Sequence, residues 1–147
     1  MKNSLLLIIL VFICIKSYSQ NTNDSTAIVH LLEKESSTWR SGDVKEHANC
    51  WAVKPYSRIL VSTGDGNVID VDPNMMLNPA AGMMGKGGSS INSNYKMKID
   101  TNTAWVCHDE ESASADGIKT YSYEIRLLEK IDGAWKLVGQ SIHIKKQ

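Results

Sequence analysis

The chain is short of nearly every feature that would announce a particular chemistry. Its 147 residues hold three cysteines, and one of these, Cys14, lies in an apolar N-terminal stretch. Cys50 and Cys107 are far apart, and no His-x-x-x-His pair occurs. No metal and no other cofactor is therefore expected. A Gly-x-Ser-x-Gly nucleophile elbow is absent, because Gly139-Gln140-Ser141-Ile142-His143 ends in histidine. A phosphate-binding loop is absent too, because Lys86 is followed by Gly87 where Ser or Thr is needed. Sixteen basic side chains face sixteen acidic ones, so there is no basic excess to hold a nucleic acid. Past the N-terminal stretch, no segment is apolar for long enough to span a bilayer.

What is present begins with a leader. Lys2 supplies a positive start, Leu5 to Ile15 is apolar, and Ser17 and Ser19 are small residues at cleavage-type positions. This is the pattern of a secretory signal peptide over residues 1–19, cut after Ser19. The expected product is exported, periplasmic or secreted, with no membrane attachment after cleavage. Residues 20–147 then form one domain, large enough to bury a core unaided. Losing Lys2 and Lys16 leaves 14 basic against 16 acidic side chains. An oxidising compartment allows Cys50 and Cys107 to pair, but two buried free thiols is the simpler reading.

The remaining periodicity is that of two helices followed by strands. Ile28, Leu31, Leu32, Glu35 and Trp39 recur at helical spacing, which predicts a helix from Asp24 to Ser41. Gly42 suits a helix end, and Asp43 with Glu46 makes a capping box for a second helix over Val44 to Ala52. Val44, His47, Ala48 and Trp51 would form its buried face. Strands are expected over Ser57–Ser62, Val68–Val71, Tyr95–Ile99, Thr103–His108, Ile118–Lys130 and Ala134–Ile144. Asp109-Glu110-Glu111 would then be a solvated tip ahead of a turn. Residues 72–94, with Pro73, Pro79, four methionines and a run of glycines, predict a long loop that could rim a pocket.

Helix, helix, hairpin and three long strands in this order resemble the NTF2-like superfamily, and within it the small secreted SnoaL-like and DUF4440-like members. The matching residues are Trp39 and Gly42-Asp43, the run His47-Ala48-Asn49-Cys50-Trp51-Ala52, and Glu129 to Val138 with its turn-Trp-Lys-Leu-Val ending ahead of His143. The resemblance implies an α+β cone, with N-terminal helices packed on a strongly curved, mixed or antiparallel sheet. It also implies a pocket at the open end and a homodimer through the outer sheet face. Some members are isomerases, dehydratases or hydrolases, and many are binders without turnover, so the fold alone leaves function open.

Within such a cone the pocket candidates are Trp39, His47, Trp51, Tyr56, Arg58, Tyr123 and His143. His47 is the candidate catalytic group, because a buried imidazole can act as a general base, with Tyr56 or Arg58 polarising a substrate. Arg58 at a pocket mouth would favour a carboxylate ligand. His143, counted in phase with Leu137, Gly139 and Ser141, either edges the pocket or meets a partner. Glu124 and Arg126 share one strand face, as a structural ion pair or as cone lining. Glu35 is the acidic residue on the apolar helix faces, and no carboxylate pair is evident. These features favour binding of a small apolar or amphipathic molecule, with a dimerisation module and an isomerase, lyase or hydrolase as the alternatives.

Overall fold

Among the described residues, two α-helices and then six strands follow one another in the order that the periodicity predicts. The structure, a computed structural model, describes residues 23–146. The leader and its cut after Ser19 lie outside the described residues. Helix α1 runs through 23–41 and buries Ile28, Leu32, Glu35 and Ser36, with Trp39 half-buried. Gly42 follows with φ +76°, the left-handed conformation that ends a helix without strain in glycine. Helix α2, Val44–Ala48, starts at Asp43, whose carboxylate accepts from the Glu46 N–H at 3.1 Å.

The sheet comprises β1 (Ile59–Ser62), β2 (Val68–Val71), β3 (Gly88–Ile99), β4 (Thr103–Ser114), β5 (Lys119–Ile131) and β6 (Ala134–Ile144). Their spatial order is β2-β1-β6-β5-β4-β3. Every pair is antiparallel except β1 with β6, so the sheet is mixed. Register slips once in β3 between Ser93 and Lys96, and once in β6, where Val138 is extra opposite Leu127 and Leu128. Such bulges bend a sheet and sharpen its twist, which lets it curve around α1. This is the α+β architecture expected from the sequence.

The apolar core fills the closed end of the cone. Ile28 and Leu32 of α1 meet Trp51, Leu128, Trp135 and Leu137 there. Asp24 fastens the start of the described helix to the β5–β6 corner, accepting from Lys130 Nζ at 2.5 Å and Trp135 Nε1 at 3.0 Å. Cys50 joins this core, whereas Cys107 is half-buried on the opposite face of the sheet, and both thiols are free.

Several boundaries differ from the sequence reading, β5 by one residue at each end and α2, β1, β3 and β4 by more. Helix α2 stops at Ala48 rather than Ala52, because the chain trades helical bonds for a bridge to β6. Leu137 N–H donates to Cys50 O, and Ala52 N–H donates to Leu137 O, both at 2.9 Å. Val44 is exposed rather than buried. Strand β1 begins at Ile59, two residues late. Strand β3 begins at Gly88, so the loop covers 72–87 rather than 72–94; the small polar residues after Gly88 pair with β4 along its whole rim. Strand β4 runs on through Asp109-Glu110-Glu111 to Ser114. Those acids are therefore not a solvated tip: Glu110 points inward and Glu111 outward.

Candidate functional site

A cavity of about 310 Å³ opens between the C-terminal half of α1, the inner face of the sheet and the 72–87 loop. Its apolar lining includes Val61, Val71, Met76, Met83, Ile142 and Ile144, half-buried apart from the buried Met76. Its floor is polar and charged, built by Glu35, Arg40, Glu110, Glu124, Arg126 and Gln140. The floor follows from strand alternation. Val106, His108, Glu110 and Ser112 of β4 share one parity, and Ser122, Glu124, Arg126 and Leu128 of β5 share the matching one.

Arg126 is the hub. It donates through Nη2 to Glu124 Oε2 and through Nη1 to the Gln140 side-chain oxygen. Its Nη1 also lies 3.3 Å from Glu35 Oε2. Glu124 accepts from Ser122 Oγ at 2.8 Å and lies 3.6 Å from His108 Nε2. On the other side Glu110 accepts from Arg40 Nη2, and from Ser36 Oγ at 2.6 Å. Three carboxyl groups thus share two guanidiniums.

Their protonation preferences diverge. Burial pushes the Glu35 carboxyl above the usual carboxylate range; Arg126 pulls it down, while Glu124 and Glu110 push it further up. Burial also works to raise Glu124, but Arg126 and His108 outweigh it and hold Glu124 below that range. Burial opposes the charge of Arg126, and the surrounding Glu124, Glu35 and Glu110 override it and keep the guanidinium protonated. His47 and His108 are both pushed down by burial, with Arg126 adding to the fall. The floor is therefore a charge-matched set plus one carboxyl, Glu35, that burial pushes above the usual carboxylate range.

Of the seven pocket candidates, Trp39 lines the cavity. His47 and Trp51 stack beneath it, with ring centroids 5.1 Å from Trp39 to His47 and 6.3 Å from His47 to Trp51. His47 is 0 % exposed and stands behind Glu35, its Nε2 3.8 Å from Glu35 Oε1. It supports the cavity wall without reaching the cavity. Tyr56 and Arg58 lie on the outside, Tyr56 donating to Glu129 at 2.5 Å and Arg58 to Asp70 at 2.9 Å. The expected arginine at the mouth is thus committed elsewhere.

Tyr123 and His143 face away from the cavity, directly opposite each other on the outer sheet face. For Tyr123 the reason is that β5 is inverted: Glu124 and Arg126 point in, and Tyr121, Tyr123 and Leu127 point out. For His143 the reason is Val138. The bulge adds one residue, so positions counted in phase with Leu137 emerge on the other side beyond it. Sequence reasoning missed Arg40, His108, Glu110 and Gln140 as cavity or floor groups. The available signal for Glu110 was its two-residue spacing from Val106 and His108.

The 72–87 loop forms part of the rim. Asp72 caps a short 3₁₀ turn, Pro73–Met76, which places Met76 in the lining. Farther on, the Gly85 and Gly87 N–H groups donate to Trp39 O at 3.0 Å and Arg40 O at 2.7 Å, satisfying carbonyls at the end of α1. The approach requires glycine at 85, where a Cβ would lie 2.5 Å from Arg40 O. Met83 is held over the cavity as a result.

No family profile matches the chain, and no curated protein matches it in sequence. Solved structures do match in shape. A protein provisionally named scytalone dehydratase, from Novosphingobium aromaticivorans, superposes with a TM-score of 0.64 at 16 % identity, over 86 % of this chain and 87 % of its own. An NTF2-like protein from Cytophaga hutchinsonii gives 0.62 at 14 % identity, over 81 % and 96 %. An NTF2-like protein of unknown function from Methylobacillus flagellatus gives 0.57 at 21 % identity, over 83 % and 92 %. With its helices packed in a curved six-stranded mixed sheet, the chain has the NTF2-like fold.

Proposed function

We propose that this chain is an exported protein whose cavity binds a small amphipathic molecule. The observation that carries the reading is a cavity of about 310 Å³ whose lining combines an apolar set with a buried hydrogen-bonding set. That size and that division of labour suit a ligand with a greasy body and one polar end. Catalysis through His47 loses support, because the imidazole is sealed behind Glu35. The uncharged fluorophore N-phenyl-1-naphthylamine should brighten on binding the purified protein. Val61 and Ile142 sit opposite each other across β1 and β6. Trp at either position should weaken dye binding at least about tenfold. Equal dye binding by both variants would place the dye elsewhere and remove the reading.

We also propose a homodimer through the outer sheet face. Trp105, Tyr121, Tyr123 and Leu127 are exposed together on β4 and β5, with Trp105 directly opposite Leu127. A contiguous aromatic and aliphatic patch of this kind fits a self-complementary contact. Sedimentation at micromolar concentration should give a dimer for the native chain and a monomer for Leu127→Lys. A native monomer would end this proposal.

A further inference from the structure

We propose that Gln140 is the residue that reads the ligand: its side-chain amide donates to a carbonyl oxygen, of a ketone or an ester, at the inner end of an apolar body. The inference rests on the ligand-binding reading above and adds to it the group that holds the polar end.

Position is the first argument. Along β6, Gln140 follows the buried Leu137, the bulge at Val138 and Gly139, and it lies between Arg126 of β5 and Ile59 of β1. Toward the end of the strand, the next side chains on the inner face are Ile142 and Ile144, and both line the cavity. Gln140 thus stands at the core end of an apolar track. A ligand that lays its body along Ile142 and Ile144 brings its leading atom to the amide.

The orientation of that amide is the second argument. Arg126 donates through Nη1 to Gln140 Oε1. A guanidinium only donates, so this contact turns the amide oxygen toward Arg126 and the amide nitrogen away from it. On the far side the neighbours across the sheet are Ile59 and, one inner pair on, Val61 beside Ile142, none of which carries a side-chain acceptor. Gln140 Nε2 has no hydrogen-bond partner among the described residues, and unlike the Nε atoms of Arg40 and Arg126 it is not sealed from solvent. Gln140 is 8 % exposed and lines the cavity, so its open N–H groups look into the cavity.

The other polar groups of the lining answer one another. Glu124 accepts from Ser122 and Arg126, and Glu110 from Ser36 and Arg40. The Gln140 oxygen is likewise engaged, which leaves this amide as a donor. It matches a group that only accepts. A carbonyl oxygen meets that need and brings no donor of its own into a buried site. A hydrocarbon end in the same place would take water from the amide and return no hydrogen bond, which is the costly case.

Displacement of bound N-phenyl-1-naphthylamine by 2-nonanone and by 1-chlorooctane, in the native protein and in Gln140→Leu, tests the proposal. The two probes have similar chains, and only the ketone is a strong hydrogen-bond acceptor. In the variant, the ratio of their displacement constants should move against the ketone by at least about fivefold, the worth of one hydrogen bond to a buried donor. The carbonyl stretch of 2-nonanone bound to the native protein should lie below its value in hexane, and should return toward that value in the variant. An unchanged ratio would overturn the proposal, as would a hexane-like stretch in the native complex. A dye displaced by neither probe would also overturn it, leaving the cavity reading intact. Failure of the dye to bind at all would remove both. If Gln140→Leu does not fold, the stretch in the native complex decides alone.

Discussion

Arg126→Leu is expected to cost about 3–5 kcal/mol of folding stability at neutral pH, the usual penalty for removing one side of a buried ion pair. The loss has little to do with the leucine, which fits an interior. It comes from Glu124, left 3 % exposed with its charge unanswered while Glu35 and Glu110 sit nearby. The sign of the pH response should reverse with it. In the native chain Glu124 is held below its ordinary value, so its contribution is present above that value and fades as pH falls. Without Arg126 its folded-state pKa rises above the unfolded one, so the variant should gain stability on acidification. Adding Glu124→Leu should restore most of the loss, because paired apolar replacements of a buried ion pair are often neutral. Urea unfolding at pH 7 and pH 5 measures all three chains. A single variant within about 1 kcal/mol of native would mean that water already screens the floor.

Leu137→Ala should destabilise by about 2–5 kcal/mol, the range for emptying a leucine site in a packed core. Leu137 is 0 % exposed and sits where β6 meets the chain leaving α2. Its backbone bonds to Cys50 and Ala52 would remain, so the cavity left by the side chain cannot collapse freely. Calorimetric or denaturant unfolding reads the effect directly, and a loss below about 1 kcal/mol would show that the closed end repacks around the void.

Legibility in the sequence divided along a clear physical line. Elements set by local chemistry are readable: the Gly42 helix end and the Asp43–Glu46 capping box each rest on a few adjacent residues. The side of the sheet each residue faces was not readable, and the candidate site depends on that. Alternation gave two faces for β5 but not which was inner, and apolarity pointed the wrong way, because Tyr123 and Leu127 face out while Glu124 and Arg126 face in. Burial of charge becomes tolerable only when partners arrive from α1 and β4, far away in sequence. Glu110 was hidden for the same reason, since an acidic triplet looks like a solvated end until Ser36 and Arg40 are seen against it.

The extra residue at Val138 has a consequence beyond the orientation of one histidine. Beyond it, β6 is read in a second frame, much as codons are read after an inserted base. Substitutions along the strand alter one position at a time. A one-residue deletion there would exchange whole halves, bringing Ser141 and His143 to the interior and sending Gln140 and Ile142 out. Length changes within this strand should therefore survive only in compensating pairs, and tolerated variation in length should collect in the turns and in the 72–87 loop.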